Sequence, residues 1–235
     1  MVIAITGASR GIGKAVAACF AEDRQGHTFL LCSRNDTLLQ EFAIQLQARF
    51  PRTKVMARAA DLSVKKEVEE WVAWAAGQTG QIDLLVNNAG TFIPGTVAEE
   101  EDGALETMMA TNLYSAYHLT RGLLPLMLPQ KSGHIFNICS VASLHAYPDG
   151  GAYSISKFAL YGFSKNLREE LKPQGIKVTA VIPGAVLTDS WAGFDNSDGR
   201  IMEVNDIARL IYAAAHLSPQ ACVEDIVIRP QLGDL

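Results

Sequence analysis

Thr6-Gly7-Ala8-Ser9-Arg10-Gly11-Ile12-Gly13 is the stretch that decides how this chain folds. It follows a short apolar run, Val2 to Ile5. It opens a segment whose apolar residues Ala15, Val16, Cys19 and Phe20 recur on one helical face. Strand, glycine-rich turn and helix in that order make a phosphate cradle. Glycine lets the backbone turn tightly and approach a pyrophosphate, and the helix start offers free N–H groups and the positive end of its dipole. The spacing is G-x-x-x-G-x-G, not the G-x-G-x-x-G of the common dinucleotide fingerprint. A P-loop is excluded, because Gly7 to Gly13-Lys14 is one residue too long and Ala15 has no hydroxyl for Mg²⁺.

Outward from this turn, apolar runs alternate with helix-period segments. Runs at Phe29–Cys32, Lys54–Ala57, Leu84–Val86, Ile135–Cys139, Val178–Ile182 and Ile226–Ile228 predict further strands. Between them, helices are predicted around Leu38–Leu46, Val64–Ala75, Glu101–Leu124, Ala152–Leu171 and Asp206–Ala215. Near-continuous apolar strands imply a sheet buried on both faces, hence parallel and covered by helices. The expectation is one doubly wound α/β domain over residues 1–235, with about seven strands.

Composition removes other classes. The chain is 49% hydrophobic and 19% charged, with a net charge of −5 and no long basic run, which argues against nucleic-acid binding. No apolar stretch is long enough to span a membrane, and Met1 to Thr6 lacks the features of a signal peptide. Cys19, Cys32, Cys139 and Cys222 form no C-x-x-C pair and have no His cluster nearby, so no metal site is expected. They read as small core residues of a cytoplasmic protein.

Several further motifs accompany the glycine turn. Asn87-Asn88-Ala89-Gly90 ends the fourth strand, Tyr153 and Lys157 stand four apart, and Ser140 lies thirteen residues before Tyr153. Pro183-Gly184 is followed by Val186 and Thr188. Together these resemble the TGxxxGxG, NNAG, Ser–YxxxK and PG…T motifs of the short-chain dehydrogenases/reductases, over essentially the whole chain. The resemblance implies a Rossmann fold and hydride transfer between a nicotinamide cofactor and a small carbonyl or alcohol substrate. It also implies a catalytic set of Asn112, Ser140, Tyr153 and Lys157, with Asn112 anchoring a proton-relaying water and Lys157 holding the nicotinamide ribose.

The residue types suit that chemistry. Reduction leaves negative charge on the carbonyl oxygen, so an acid must stand ready. Tyr153 and Lys157 share one helix face, and a neighbouring ammonium lowers a phenol toward working range. Ser140 can donate a hydrogen bond to the same oxygen. A Ser-His-Asp hydrolase is the rival. It would need His134 or His145 beside a nucleophile elbow, and no G-x-S-x-G occurs, so both read as loop or strand-end residues. Trp71 and Trp74 read as helix packing.

Ser33-Arg34-Asn35 ends the second strand where NAD-binding folds place an acid, and Asp36 reads as the cap of the next helix. Arg34 with Arg10 could grip a ribose 2′-phosphate, and in this family such a pair implies NADP(H). Arg34 could equally be a solvated surface charge. The cofactor set then comprises Gly7, Ser9, Arg10, Gly11, Ile12, Gly13, Ser33, Arg34 and Asn35. By resemblance Asp61 and Leu62 join it at the adenine, followed by Asn88, Ala89, Gly90, Tyr153, Lys157, Pro183, Gly184, Val186 and Thr188.

The segment from Ala185 to about Met202 reads as a short substrate lid holding Trp191, Phe194, Asp189 and Asp195. Ser33-Arg34-Asn35-Asp36 and the C-terminal Glu224–Pro230 with Gly233-Asp234 look like bacterial sepiapterin reductases. A pterin or dicarbonyl substrate is therefore expected, with Asp189 or Asp195 receiving its N–H donors. A 3-oxoacyl-carrier-protein reductase carries the same motifs. A non-catalytic NADP(H) sensor is a third possibility, although such proteins usually lose the tyrosine or the lysine. A homodimer or homotetramer is expected by analogy.

Overall fold

The computed structural model describes residues 1–191 and 193–234. Its centre is a parallel sheet of β1 (Val2–Thr6), β2 (Thr28–Ser33), β3 (Lys54–Ala59), β4 (Leu84–Asn87), β5 (Gly133–Ile138), β6 (Ile176–Pro183) and β7 (Asp225–Ile228). The strand order is β3-β2-β1-β4-β5-β6-β7. The helices are α1 (Gly11–Glu22), α2 (Asp36–Arg49), α3 (Lys65–Gln78), α4 (Ala104–Met109), α5 (Ser115–Leu123), α6 (Gly151–Leu171) and α7 (Val204–Ala215).

The apolar runs divide between two cores because successive strand residues face opposite ways. Ile3, Ile5, Phe29, Leu31 and Phe136 pack with α1, α2 and α7 on one face. Ala4, Leu30, Cys32, Leu85 and Ile135 pack with α3, α5 and α6 on the other. Trp71 is fully buried in the second core, as its reading as a packing residue requires. Truncating so large a buried side chain costs roughly 3–5 kcal/mol. His134 is the second residue of β5, at the strand end as expected, and is buried.

Three local details depart from expectation. The cap of α2 is Asn35, whose side chain accepts the Leu38 N–H at 3.0 Å, while Asp36 is the first helical residue. The predicted helix 101–124 is interrupted: between α4 and α5, Ala110–Tyr114 forms a π turn, in which the Ser115 N–H reaches back to the Ala110 carbonyl. Such wide turns are frequent at functional sites, and Asn112 sits inside this one. Of the four cysteines, Cys32 and Cys139 are buried, but Cys19 and Cys222 are partly exposed.

The chain crosses from β3 to β4 on the far side of β1, so the order reverses between β1 and β4. Ligand crevices in such sheets open at the strand C-termini of that switch point. Here the crevice is stitched by Thr6, whose Oγ1 accepts the N–H groups of Asn88 and Ala89, each at 2.9 Å. In return the Asn88 carboxamide donates to the carbonyls of Thr6 at 2.9 Å and Gly7 at 3.2 Å.

Candidate active site

Two connected cavities occupy the crevice. One, of about 500 Å³, runs past the glycine turn and the ends of β2, β3 and β4. Gly7, Ser9, Arg10, Gly11, Ile12, Ser33, Arg34, Asn35, Asp61, Leu62, Asn88, Ala89, Gly90 and Thr188 all line it. Gly7 holds φ +62°, and a Cβ there would come within 2.7 Å of the Asn88 side chain. Gly13 differs from the other predicted groove residues: it lines neither cavity. A Cβ on it would meet the Gly7 carbonyl at 2.5 Å, so Gly13 serves the close packing of α1 under the turn.

The second cavity, of about 490 Å³, holds Ser140, Tyr153 and Lys157 together with Pro183, Gly184 and Val186. Ser140 caps a short turn over Val141–Ser143, its Oγ accepting the Ala142 N–H at 3.2 Å. The Nζ of Lys157 donates to the Ile138 carbonyl at 2.9 Å and lies 5.8 Å from the Tyr153 ring centroid. Burial pulls the Lys157 ammonium down to about 8, opposed in part by the Cys139 thiol. Burial also raises the Tyr153 phenol, against hydrogen bonding to Ser140, which lowers it. The expected lowering of Tyr153 by Lys157 is thus outweighed by desolvation. A fully enclosed lysine yields its charge cheaply, and desolvation dominates both groups.

Asn112 lines neither cavity. Its Oδ1 accepts the Thr91 N–H at 2.7 Å, and its Nδ2 donates to the Thr91 carbonyl at 3.0 Å and to the Ser156 hydroxyl at 2.8 Å. Ser156 in turn donates to the Tyr153 carbonyl at 2.7 Å. The side chain therefore braces the loop after β4 against the first turns of α6. Ser156 was invisible as a site residue in the sequence, because a serine inside a helix carries no distinctive signal.

The lid residues sort differently from expectation. Trp191 lines the catalytic cavity, but Phe194 lines neither cavity and packs on Trp191 with centroids 5.3 Å apart. Asp189 faces the other cavity and pairs with Arg10 at 2.7 Å. Asp195 lines neither and accepts the Ser197 N–H at 2.9 Å. Neither carboxylate is placed to receive a substrate, which corrects that expectation. The cavity walls instead contain Phe92, His145, Tyr147, Arg229 and Asp234. The Phe92 ring meets Tyr153 edge-on at 4.9 Å. Phe92 and Tyr147 come from loops that no motif singles out, whereas Arg229 and Asp234 belong to the C-terminal stretch that resembles sepiapterin reductases.

The family described as short chain dehydrogenase matches residues 1–198. The chain belongs to the short-chain dehydrogenase family. It is therefore an oxidoreductase by descent, and relatives span its full length. An uncharacterized oxidoreductase of Staphylococcus epidermidis is 31% identical over 97% of this chain and 96% of its own. The sepiapterin reductase of Chlorobaculum tepidum is 32% identical over 100% of this chain and 98% of its own. A metagenomic short-chain oxidoreductase solved in complex with NADP superposes with a TM-score of 0.85 at 29% identity, covering 98% of this chain and 97% of that one. Among the described residues of this short-chain dehydrogenase, no helix is long and apolar enough to cross a membrane and no group of His, Cys, Asp or Glu could hold a metal ion.

Proposed function

We propose that this protein is an NADP(H)-dependent reductase of a compact carbonyl compound, an α-dicarbonyl or ketol whose leading candidate is a reduced pterin such as sepiapterin. The observation that carries this reading is the convergence of Ser140, Tyr153 and Lys157 on one cavity that adjoins a glycine-walled groove. The groove fits the dinucleotide: its far end presents Arg10 and the exposed Arg34 to a 2′-phosphate. Asp61 there already accepts from the Ser63 N–H at 3.0 Å and the Ser63 hydroxyl at 2.7 Å. The NADP-bound neighbour and the reductase relative support the same assignment.

When bound, the nicotinamide supplies hydride to the carbonyl carbon. The chain's own groups manage the proton. Tyr153 donates its phenolic proton to the carbonyl oxygen, and the Ser140 hydroxyl stabilises the charge growing there. Lys157 stands behind Tyr153 and would hold the nicotinamide ribose, while Asn112 and Ser156 keep α6 in register with the loop after β4. A flat heterocycle fits an enclosure walled by Phe92, Tyr147 and Trp191.

The exposed Tyr114, Tyr117, Ile155 and Phe158 on and beside α5 and α6 support pairing of two copies through these helices. Light scattering on the purified protein reads that directly.

NADPH consumption with sepiapterin, a 3-oxoacyl thioester and a simple diketone, measured side by side, tests the reading. Turnover of sepiapterin or the diketone is expected. Turnover of the thioester alone would assign the chain to acyl-carrier chemistry. NADPH binding with no turnover of any substrate would make it a sensor.

A further inference from the structure

The catalytic cavity contains a charged pair that neither the proton chemistry nor the cofactor groove uses. Arg229 follows the last residue of β7, and the Ile228 carbonyl accepts the Gly184 N–H at 2.8 Å, which fixes Arg229 beside the cavity-lining Pro183-Gly184. Its Nη2 meets the Asp234 carboxylate at 2.6 Å. Asp234 is itself wedged: its Oδ1 is buried with no hydrogen-bond partner among the described residues and packs on Gly184, where a Cβ would approach it to 2.3 Å. From the lid, the Arg200 guanidinium donates to the carbonyls of Gly233 at 2.9 Å and Asp234 at 3.1 Å. The tail is thus strapped down, and the carboxylate that holds Arg229 has little room to swing.

A half-exposed ion pair contributes at most about 1 kcal/mol to stability, so stability does not account for a guanidinium on this wall. Among the described lining residues the other lysine or arginine is Lys157, which is bonded to the Ile138 carbonyl. A guanidinium has five N–H donors in a planar fork, and among the described residues Asp234 meets this one through Nη2 alone. Such a fork pairs bidentately with two adjacent acceptor atoms.

We propose that Arg229, oriented by Asp234, is a specificity residue that reads two adjacent hydrogen-bond acceptors on the substrate. A carboxylate presents such a pair, and so does the carbonyl–imine edge of a heterocycle. The inference deepens the reductase reading and rests on it. It names what the non-reacting end of the carbonyl substrate must carry.

The test compares the full-length wild type with Arg229→Gln and Arg229→Lys on an aryl oxo acid, its methyl ester and sepiapterin. A charge-assisted bidentate contact predicts that Arg229→Gln raises KM about ten- to a hundredfold for a substrate bearing the acceptor pair. The change in kcat is expected to be small, Arg229→Lys to recover part of the loss, and the ester to fall far less. A loss confined to the oxo acid identifies a carboxylate reader, and one confined to sepiapterin identifies the heterocycle edge. Equal losses on all three substrates, or none on the oxo acid and sepiapterin, would overturn the proposal. Binding of the oxo acid and of sepiapterin to the NADP⁺-loaded protein, followed by tryptophan fluorescence, needs no turnover. Arg229-dependent binding without reduction would sink the reductase reading and spare Arg229. Binding indifferent to Arg229→Gln would sink Arg229 alone.

Discussion

The ammonium of Lys157 is bonded to the carbonyl of Ile138 at 2.9 Å, so the group behind Tyr153 is moored to the last residue of β5. Burial there brings Lys157 to about 8 while it pushes Tyr153 upward. The lysine therefore loses its charge before the phenol loses its proton. In reduction, kcat/KM for NADPH reports groups of the free enzyme. It should be level below pH 8 and fall above it. A profile that stays level to pH 10 would show that the Lys157 charge is dispensable.

Tyr153→Phe removes the acid and leaves the ring that packs against Phe92. The expected result is a drop in kcat of about 10²-fold or more, with NADPH affinity unchanged by fluorescence titration. Near-native turnover on any good substrate would show that the proton comes from elsewhere.

Arg10 and Arg34 face the same end of the groove, but Arg10 already has Asp189 at 2.7 Å. Arg34→Ala should weaken NADPH binding by about ten- to a hundredfold, the range for a lost charged contact. NADH binding should barely move. Equal losses for both cofactors would mean that Arg34 supports the fold and not the 2′-phosphate. Asp189→Asn should leave KM for the carbonyl substrate unchanged, because Asp189 faces the cofactor groove.

His134 is buried in β5, its Nε2 2.7 Å from the Thr179 hydroxyl and its Nδ1 without a partner among the described residues. Burial lowers it from 6.5 to about 3, with the Lys177 charge adding to the effect. Its folded value lies below its unfolded one, so between these two values the unfolded chain binds more protons. Stability is accordingly lost as pH falls below about 6.5, by up to about 1.4 kcal/mol per pH unit. Urea midpoints of wild type and His134→Gln between pH 7 and pH 4.5 check this. The variant, though less stable at pH 7, should show the shallower decline. Parallel declines would assign acid sensitivity to the carboxylates alone.

The primary sequence by itself was enough for the parallel sheet, the order of strands and helices, the glycine turn and the Tyr153–Lys157 pair. Each of these is a local pattern. Burial on both faces imprints a near-continuous apolar run on β1 and β2, a helix places residues four apart on one face, and a turn at φ +62° admits Gly7 at no steric cost. Even so, local rules misplaced the α2 cap by one residue, since Asn35 and Asp36 are both good caps and only the chain's entry angle chooses between them.

What the tertiary structure alone decided are contacts between distant parts of the chain. Asp189 pairs with Arg10, 179 positions away, and lines the glycine-walled groove. Asn112 was drawn from the cavity to Thr91 and Ser156 by a π turn that the apolar pattern of residues 101–124 does not reveal. Arg229 and Asp234 became cavity wall because β7 pairs with the end of β6 and carries the tail back over Gly184. Hydrophobic periodicity records which face of an element is buried. It does not record which charged side chain meets which, because those pairings depend on where the packed elements bring the loops together.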